Sequence, residues 1–237
     1  MSHLRDSFYW LIITLLFTWV SPAHEGLADV VVFDTIGQVD HDVKLKVQTR
    51  GKLFSEGGKM VELSVEGVLL KKNLTGGDGY GFFKYHPTSA GLKKIEAKSG
   101  QATALGWLLV IDKKQKAVII EVEGALRESV FADKPLEGSL ESLKKLSEKY
   151  KIIYLTRVPF SLYDRKWLAK NDFPESVLLY WKNGYVFEEL KEKEVEIFAV
   201  IASLTVLEET PDTIKHRFSF EEGNNDFYVR SWDEISI

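Results

Sequence analysis

Hydrophobic positions follow two different periods along this chain. In the first half, short runs alternate apolar and polar residues, as in Val43, Leu45 and Val47 with Lys44 and Lys46 between them. A period of two places apolar side chains on one face of a sheet and charged side chains on the other. About seven such runs, separated by turn signals, predict a β-sandwich over residues 29–112. The runs are 30–33, 43–47, 61–65, 68–70, 81–85, 92–97 and 104–111.

From residue 116 onward, strand patterns alternate with helical ones. Leu140, Leu143 and Leu146 stand at helical spacing, and a continuous apolar run follows them. Strands that alternate with helices predict a parallel sheet, so residues 116–237 form an α/β domain. Ser161 and Asp164 have the spacing of a capping box for the helix that carries Trp167. The predicted strands are 116–121, 151–155, 177–180 and 213–220, and the predicted helices are 139–150, the segment after Ser161, and 188–207 as one helix or two.

The N-terminus carries an apolar run from Phe8 to Val20, preceded by Arg5. Such a run is too short for a bilayer core of about 30 Å but suits a signal peptide. We therefore expect residues 1–28 to be a signal peptide, cleaved after Ala23 or Ala28, and the protein to be secreted or periplasmic without a stable membrane span. An uncleaved anchor or a buried strand is the alternative. The charged linker 112–115 is short, so the two domains should be nearly in contact.

Composition limits the classes of binding partner and of reactive site that the chain can have. The formal net charge of −4 and an isoelectric point near 5.8 give no overall attraction to nucleic acid or to an anionic membrane. The absence of cysteine excludes disulfides and thiol catalysis. The five histidines lack ligand spacing, so no zinc site is predicted.

The first domain resembles bacterial immunoglobulin-like domains. The resemblance rests on Gly67 in a reverse turn, the glycine-rich segment 74–81, the aromatic strand after it, and the turn 87–91. It implies an immunoglobulin-like sandwich over residues 29–112. Asp78 in the glycine cluster is interpreted as a turn former, with a calcium ligand as the alternative.

Carboxylates stand where the strands of the second domain end. The apolar run 117–120 is followed by Glu121 and Glu123, and the last strand is followed by Glu222 and Asp226. Parallel strands bring their carboxyl ends to one edge, so these residues and Thr156 are expected to converge. Carboxylates that meet at an edge repel one another unless a cation or raised pKa values relieve them. The alternative is that Glu121 and Glu123 are solvated strand-end residues paired with lysines.

The segments around these residues resemble the motifs of haloacid dehalogenase-like phosphatases, in particular lipin-like members. The first motif has Glu121 and Glu123 in place of two aspartates, and Ala125 in place of threonine. The resemblance implies a nucleophile at Glu121, a general acid and base at Glu123, a phosphate-binding hydroxyl at Thr156, and Mg²⁺ held by Glu121, Glu123, Glu222 and Asp226. Lys191 and Lys193 are candidates for its lysine, and a solvated helix face is the alternative for them. In that family a core without a cap domain has an open site.

The glutamates decide how much of this chemistry is expected. Each glutamate moves its carboxylate about 1.5 Å further from the backbone, and a misplacement near 1 Å already costs about 10²-fold in rate. The sequence therefore predicts an exported, catalytically inactive, phosphatase-like binding or interaction module, whose partner is an unidentified protein or envelope ligand. The alternatives are a Mg²⁺-dependent phosphatase acting on a phospholipid or another phosphomonoester, and a structural envelope component.

Overall fold

The computed structural model describes residues 30–51, 54–159, 162–222, 227–235 and 237. The predicted signal peptide, residues 1–28, lies outside them. In the described part of the chain, no helix is both long and apolar enough to cross a membrane.

Eight strands form the first domain, one more than the alternation predicted. They build a three-stranded antiparallel sheet in the order β1-β3-β6 and a five-stranded sheet in the order β2-β8-β7-β4-β5. The extra strand, β2, pairs in parallel with β8. The strands are β1 (Val30–Val32), β2 (Thr35–Gln38), β3 (Val43–Thr49), β4 (Met60–Val65), β5 (Val68–Leu74), β6 (Tyr80–Tyr85), β7 (Gly91–Ser99) and β8 (Ala102–Ile111).

The two sheets pack as an immunoglobulin-like sandwich. The alternating apolar residues point inward, and Leu45, Val47 and Leu63 are fully buried between the sheets. Asp78 accepts a hydrogen bond at its Oδ1 from the Tyr80 amide at 3.0 Å, which confirms its role as a turn former.

The second domain is an α/β unit with a fully parallel sheet in the order β11-β10-β9-β12-β13. A single π-type turn, Val122–Leu126, follows β9. The elements are β9 (Lys116–Glu121), α1 (Ser139–Lys149), β10 (Lys151–Thr156), α2 (Leu162–Lys170), β11 (Val177–Tyr180), α3 (Tyr185–Glu192), β12 (Glu196–Ile201), α4 (Leu204–Glu208), β13 (His216–Phe218) and the 3₁₀ turn Trp232–Glu234.

The predicted helix over 188–207 is wrong, because a strand lies inside it. Helix α3 ends at Glu192, the backbone turns at Glu194 with a positive φ of 51°, and β12 follows. The carboxyl-terminal residues of β12 are fully buried beside β9. This part of the strand is therefore apolar on both faces, and its sequence shows no alternation of apolar and polar residues. A continuous apolar run of this kind does not distinguish a strand from a buried helix.

Asp34 joins the two domains. Its buried carboxylate pairs with Arg165 of α2 and accepts hydrogen bonds from the amides of Leu178 at 2.7 Å and Trp107 at 2.8 Å. Leu178 belongs to β11, the edge strand of the parallel sheet, so Asp34 satisfies an edge amide that the sheet leaves unpaired. Ile36 and Leu109 of the sandwich belong to the same buried cluster as the core of the α/β domain. The predicted contact between the domains is confirmed, and it is a shared core.

Candidate functional site

The central strand β9 brings both predicted glutamates into the interior. Glu121 is the last residue of the strand and lies in register with Leu155 of β10. Gly124, with a φ of 88°, allows the turn that folds the chain back after Glu123. The buried Trp232 indole donates a hydrogen bond to the Ala125 carbonyl at 2.9 Å and packs against this turn. Glu121 and Glu123 are 0% and 1% exposed, so neither is a solvated strand-end residue.

Glu121 is held by a hydrogen bond at one carboxylate oxygen and by an ion pair at the other, Oε1, which accepts no hydrogen bond from the described residues. Its Oε2 accepts a hydrogen bond from the Ser203 amide at 2.6 Å, and its Oε1 lies 2.8 Å from Nε of Arg157. Burial raises the pKa of Glu121, and the contacts with Ser203 and Arg157 offset part of that rise. The carboxylate is therefore a buried ion-pair partner whose neutral form is favoured more than that of an ordinary glutamate.

Glu123 is held by the chain on either side of it. Its Oε1 accepts a hydrogen bond from Nη2 of Arg127 at 3.1 Å and lies 3.2 Å from the Thr156 hydroxyl. Its Oε2 accepts a hydrogen bond from the Arg157 amide at 3.3 Å. Glu123 therefore packs into the end of β10 and away from solvent.

Arg127 and Asp164 complete a buried ionic network that sequence reasoning missed. Arg127 is 0% exposed, and its Nη2 bridges Glu123 and Asp164. The guanidinium carbon lies 5.2 Å from the ring centre of Tyr163 and 5.1 Å from that of Trp167. Both distances are within the range of cation–π interactions, which strengthen when the cation is desolvated.

Thr156 lies between the carboxylates of Glu123 and Asp164, at the end of β10, where the sequence predicted it. Its Oγ1 donates to Oδ2 of Asp164 at 2.5 Å and accepts a hydrogen bond from the Val158 amide at 3.0 Å. The carboxylate of Asp164, which is in the first turn of α2, bonds to Thr156 and Arg127. The capping box predicted for Ser161 and Asp164 stays a prediction, because Ser161 lies outside the described residues.

The network holds more carboxylate than guanidinium charge. Three buried carboxylates, those of Glu121, Glu123 and Asp164, face the two guanidinium groups of Arg127 and Arg157. Arg157 is 45% exposed at the side chain, so it forms the solvent-facing end of the network. The raised pKa of Glu121 relieves the excess negative charge.

The described contacts of Glu222 and Lys193 are with residues outside this network. Glu222 is exposed, and its Oε1 lies 3.5 Å from the Tyr228 hydroxyl. Asp226 lies outside the described residues. Lys191 is an exposed residue of α3, and Nζ of Lys193 contacts Glu189 at 2.6 Å and the Thr35 hydroxyl of the sandwich at 2.9 Å. Both lysines precede β12, so they lie towards the amino-terminal ends of the parallel strands, whereas Glu121 lies at the carboxyl-terminal end of β9.

The donor set does not suit the magnesium ion that the phosphatase resemblance implies. Mg²⁺ needs free carboxylate oxygens in octahedral geometry, and those of Glu121 and Glu123 are directed at arginine, threonine and backbone donors. Within the described ranges, no group of three or more acidic or histidine side chains converges to hold a metal. The predicted ligand set is not assembled by these residues, and its fourth member, Asp226, is outside them.

Comparisons with known proteins concern the first domain. Neither a protein-family model nor a curated protein matches the sequence. Among solved structures, the chain is similar to the CARDB domain of PF1109 from Pyrococcus furiosus, with 16% identity over 36% of this chain and 96% of that one and a TM-score of 0.29. It is similar to the D00-D0 domain of intimin, with 15% identity over 37% of this chain and 49% of that one and a TM-score of 0.30. It is also similar to the M1 domain from titin, with 11% identity over 38% of this chain and 97% of that one and a TM-score of 0.27.

Proposed function

We propose that this protein is an exported binding or interaction module, in which an immunoglobulin-like sandwich is fused to a phosphatase-like α/β domain that does not transfer phosphoryl groups. Three features support a haloacid dehalogenase-like origin of that domain. They are the five-stranded parallel order with β9 at the centre, Glu121 at the end of β9 with Glu123 just after it, and Thr156 at the end of the adjacent β10. Export is supported by the apolar run 8–20, which has the length of a signal peptide.

The observation that carries the loss of catalysis is the pairing of the carboxylates with arginines of the same chain. A phosphatase of this type needs carboxylates that are free to bind a metal and to attack phosphorus. Here Arg157 pairs with Glu121, and Arg127 pairs with Glu123 and Asp164. The positive charge that a bound cation would contribute is supplied by the protein itself.

The position of Glu121 gives a second argument. A nucleophile must bring a free lone pair to within about 3–3.5 Å of phosphorus in line with the leaving group. Oε2 accepts the Ser203 amide at 2.6 Å, Oε1 lies 2.8 Å from Nε of Arg157 in an ion pair, and the raised pKa of Glu121 lowers the fraction of its charged, nucleophilic form. Attack would require breaking the pair with Arg157 and leaving Glu121 charged in the interior.

A phosphatase assay separates this proposal from a working enzyme. Purified protein is incubated with p-nitrophenyl phosphate and Mg²⁺, beside the matched variant Glu121→Gln. We expect no difference between the two. A turnover that Glu121→Gln abolishes would establish the Mg²⁺-dependent phosphatase instead.

A restored variant tests whether the glutamates themselves cause the loss. Glu121→Asp with Glu123→Asp and Ala125→Thr returns the first motif to its phosphatase form. We expect at most weak turnover, because Arg127 still pairs with Asp164 in the space beside the carboxylates. Adding Arg127→Met, assayed at a temperature where circular dichroism shows the variant to be folded, should increase whatever turnover the triple variant gains, and an unchanged rate would show that Arg127 does not obstruct the site.

A further inference from the structure

The outer face of the three-stranded sheet is unusual in its mixture of cations and rings. Along β3 and β6 the inward residues are buried and apolar, and the residues between them are lysines and aromatic residues. We call this surface the lysine–aromatic face. It consists of Phe33, Lys44, Lys46, Tyr80, Phe82 and Lys84.

Two of the three lysines of this face, Lys44 and Lys46, lie over its rings. Nζ of Lys46 is 4.5 Å from the ring centre of Phe33 and 4.2 Å from that of Tyr80, and Nζ of Lys44 is 5.3 Å from that of Phe82. These are cation–π distances. The rings therefore hold the ammonium groups in a layer above the sheet.

Two of the lysines stand directly opposite each other. Lys44 is the cross-strand partner of Lys84, and like charges in that relation destabilise a sheet. Among the described residues, the carboxylate that pairs with Lys84 is that of Asp42, whose Oδ2 lies 2.5 Å from Nζ of Lys84. The contact of Lys44 with Phe82 and the Lys84–Asp42 pair offset part of this repulsion, and an anionic ligand would relieve it further.

The face is open, and its charge is opposite in sign to that of the chain. Phe82 is 49% exposed, and the Lys84 side chain is 76% exposed. The contacts between the domains involve the other sheet, through β2 and β8. The net charge of −4 averages over the whole chain and therefore conceals this local positive surface.

We propose that the lysine–aromatic face binds the surface of an anionic phospholipid bilayer. Lysines attract acidic headgroups, and aromatic rings settle at the headgroup level, so a sheet face with both suits an interface. The face presents Lys44, Lys46 and Lys84 on one side of the sheet, and their positive charge complements that of an acidic headgroup layer.

Vesicle binding tests the proposal, which concerns a different surface from the buried network and does not rest on the loss of phosphatase activity. The purified chain is sedimented with vesicles of phosphatidylcholine alone and with vesicles that also contain phosphatidylglycerol. We expect salt-sensitive binding to the anionic vesicles only. Each lysine near such a surface contributes roughly fivefold to binding, since its attraction is about 1 kcal/mol, so Lys44→Glu with Lys46→Glu should weaken binding at least about 30-fold.

A matched variant controls for net charge. Lys71→Glu with Lys98→Glu makes the same charge change on strands of the other sheet, at exposed positions, and should leave binding within a few-fold of the parent. Circular dichroism checks that all variants stay folded, and Phe82→Ser provides a third variant that alters the face without a charge change.

Four results would overturn the proposal. They are no vesicle binding, equal binding to neutral and anionic vesicles, equal loss in the two charge-reversal variants, and binding to a single-stranded oligonucleotide through Lys44 and Lys46 without vesicle binding. The second result would assign membrane binding to the apolar run, and the fourth would assign the face to nucleic acid.

Discussion

Removal of the Arg127 guanidinium should destabilise the α/β domain strongly. Arg127 is fully buried and pairs with both Glu123 and Asp164, so Arg127→Met removes the guanidinium that pairs with two carboxylates in the interior. Breaking a buried pair in this way costs about 3–5 kcal/mol. For a chain of this size each kcal/mol lowers Tm by about 2–4 °C, so we expect a decrease of about 6–20 °C.

Urea denaturation followed by circular dichroism measures the loss. The matched control is Arg157→Gln, which we expect to cost less than half as much, because Arg157 is 45% exposed and the Glu121 left behind has a raised pKa and is more easily neutralised. Combining Arg127→Met with Asp164→Asn should recover part of the stability, with a coupling of about 1–3 kcal/mol. A loss below about 1 kcal/mol for Arg127→Met would refute the reasoning, because it would mean that the carboxylates do not depend on Arg127.

Three further predictions concern the domain junction, the pH dependence and the N-terminus. Asp34→Ala leaves the buried amides of Leu178 and Trp107 without an acceptor, so unfolding in urea should show a loss of about 2–5 kcal/mol, and an unchanged midpoint would contradict the role of Asp34 at the junction. Because the pKa of Glu121 is raised in the folded state, the native protein gains stability as it takes up this proton at low pH and loses that contribution as pH rises through the folded-state pKa. Glu121→Gln does not titrate, so its stability relative to the parent should rise as pH increases from the ordinary glutamate pKa of about 4.3 through the raised folded-state pKa in parallel melts, and a falling or flat difference would argue against the burial effect. N-terminal sequencing of the protein from an envelope or secreted fraction should begin at His24 or Asp29, whereas an intact Met1 in a cytoplasmic fraction would contradict export.

The sequence predicted the elements whose patterns are local. Alternation along β3 and β4 identified the sandwich, and the leucine spacing identified α1, since one face of each element is buried and the other is solvated. Strand β12 was missed because both of its faces are covered, and a continuous apolar run has no period. The positive φ at Glu194, which separates it from α3, has no reliable signature in a non-glycine residue.

The candidate site was predictable in position and not in its pairing. The end of a central strand indicated Glu121 and Glu123, and the next strand indicated Thr156. The charges that neutralise them come from residues whose partners are distant in sequence, as with Arg127 and Asp164 or Arg157 and Glu121. Four-residue spacing of Glu123 and Arg127 was the one local signal, and it resembles an ordinary surface pair until the burial of both residues is known.

Magnesium binding tests most directly the claim that arginines of the chain itself neutralise the buried carboxylates. Melting curves of the native protein are recorded with and without millimolar Mg²⁺, beside those of Glu121→Gln. Binding to the folded state alone would stabilise it by RT ln(1 + [L]/Kd), about 2.7 kcal/mol at one hundred times Kd. The account predicts the same Tm with and without Mg²⁺ for the native protein. An increase in Tm that Glu121→Gln abolishes would contradict it, because Glu121 would then be free to hold a metal.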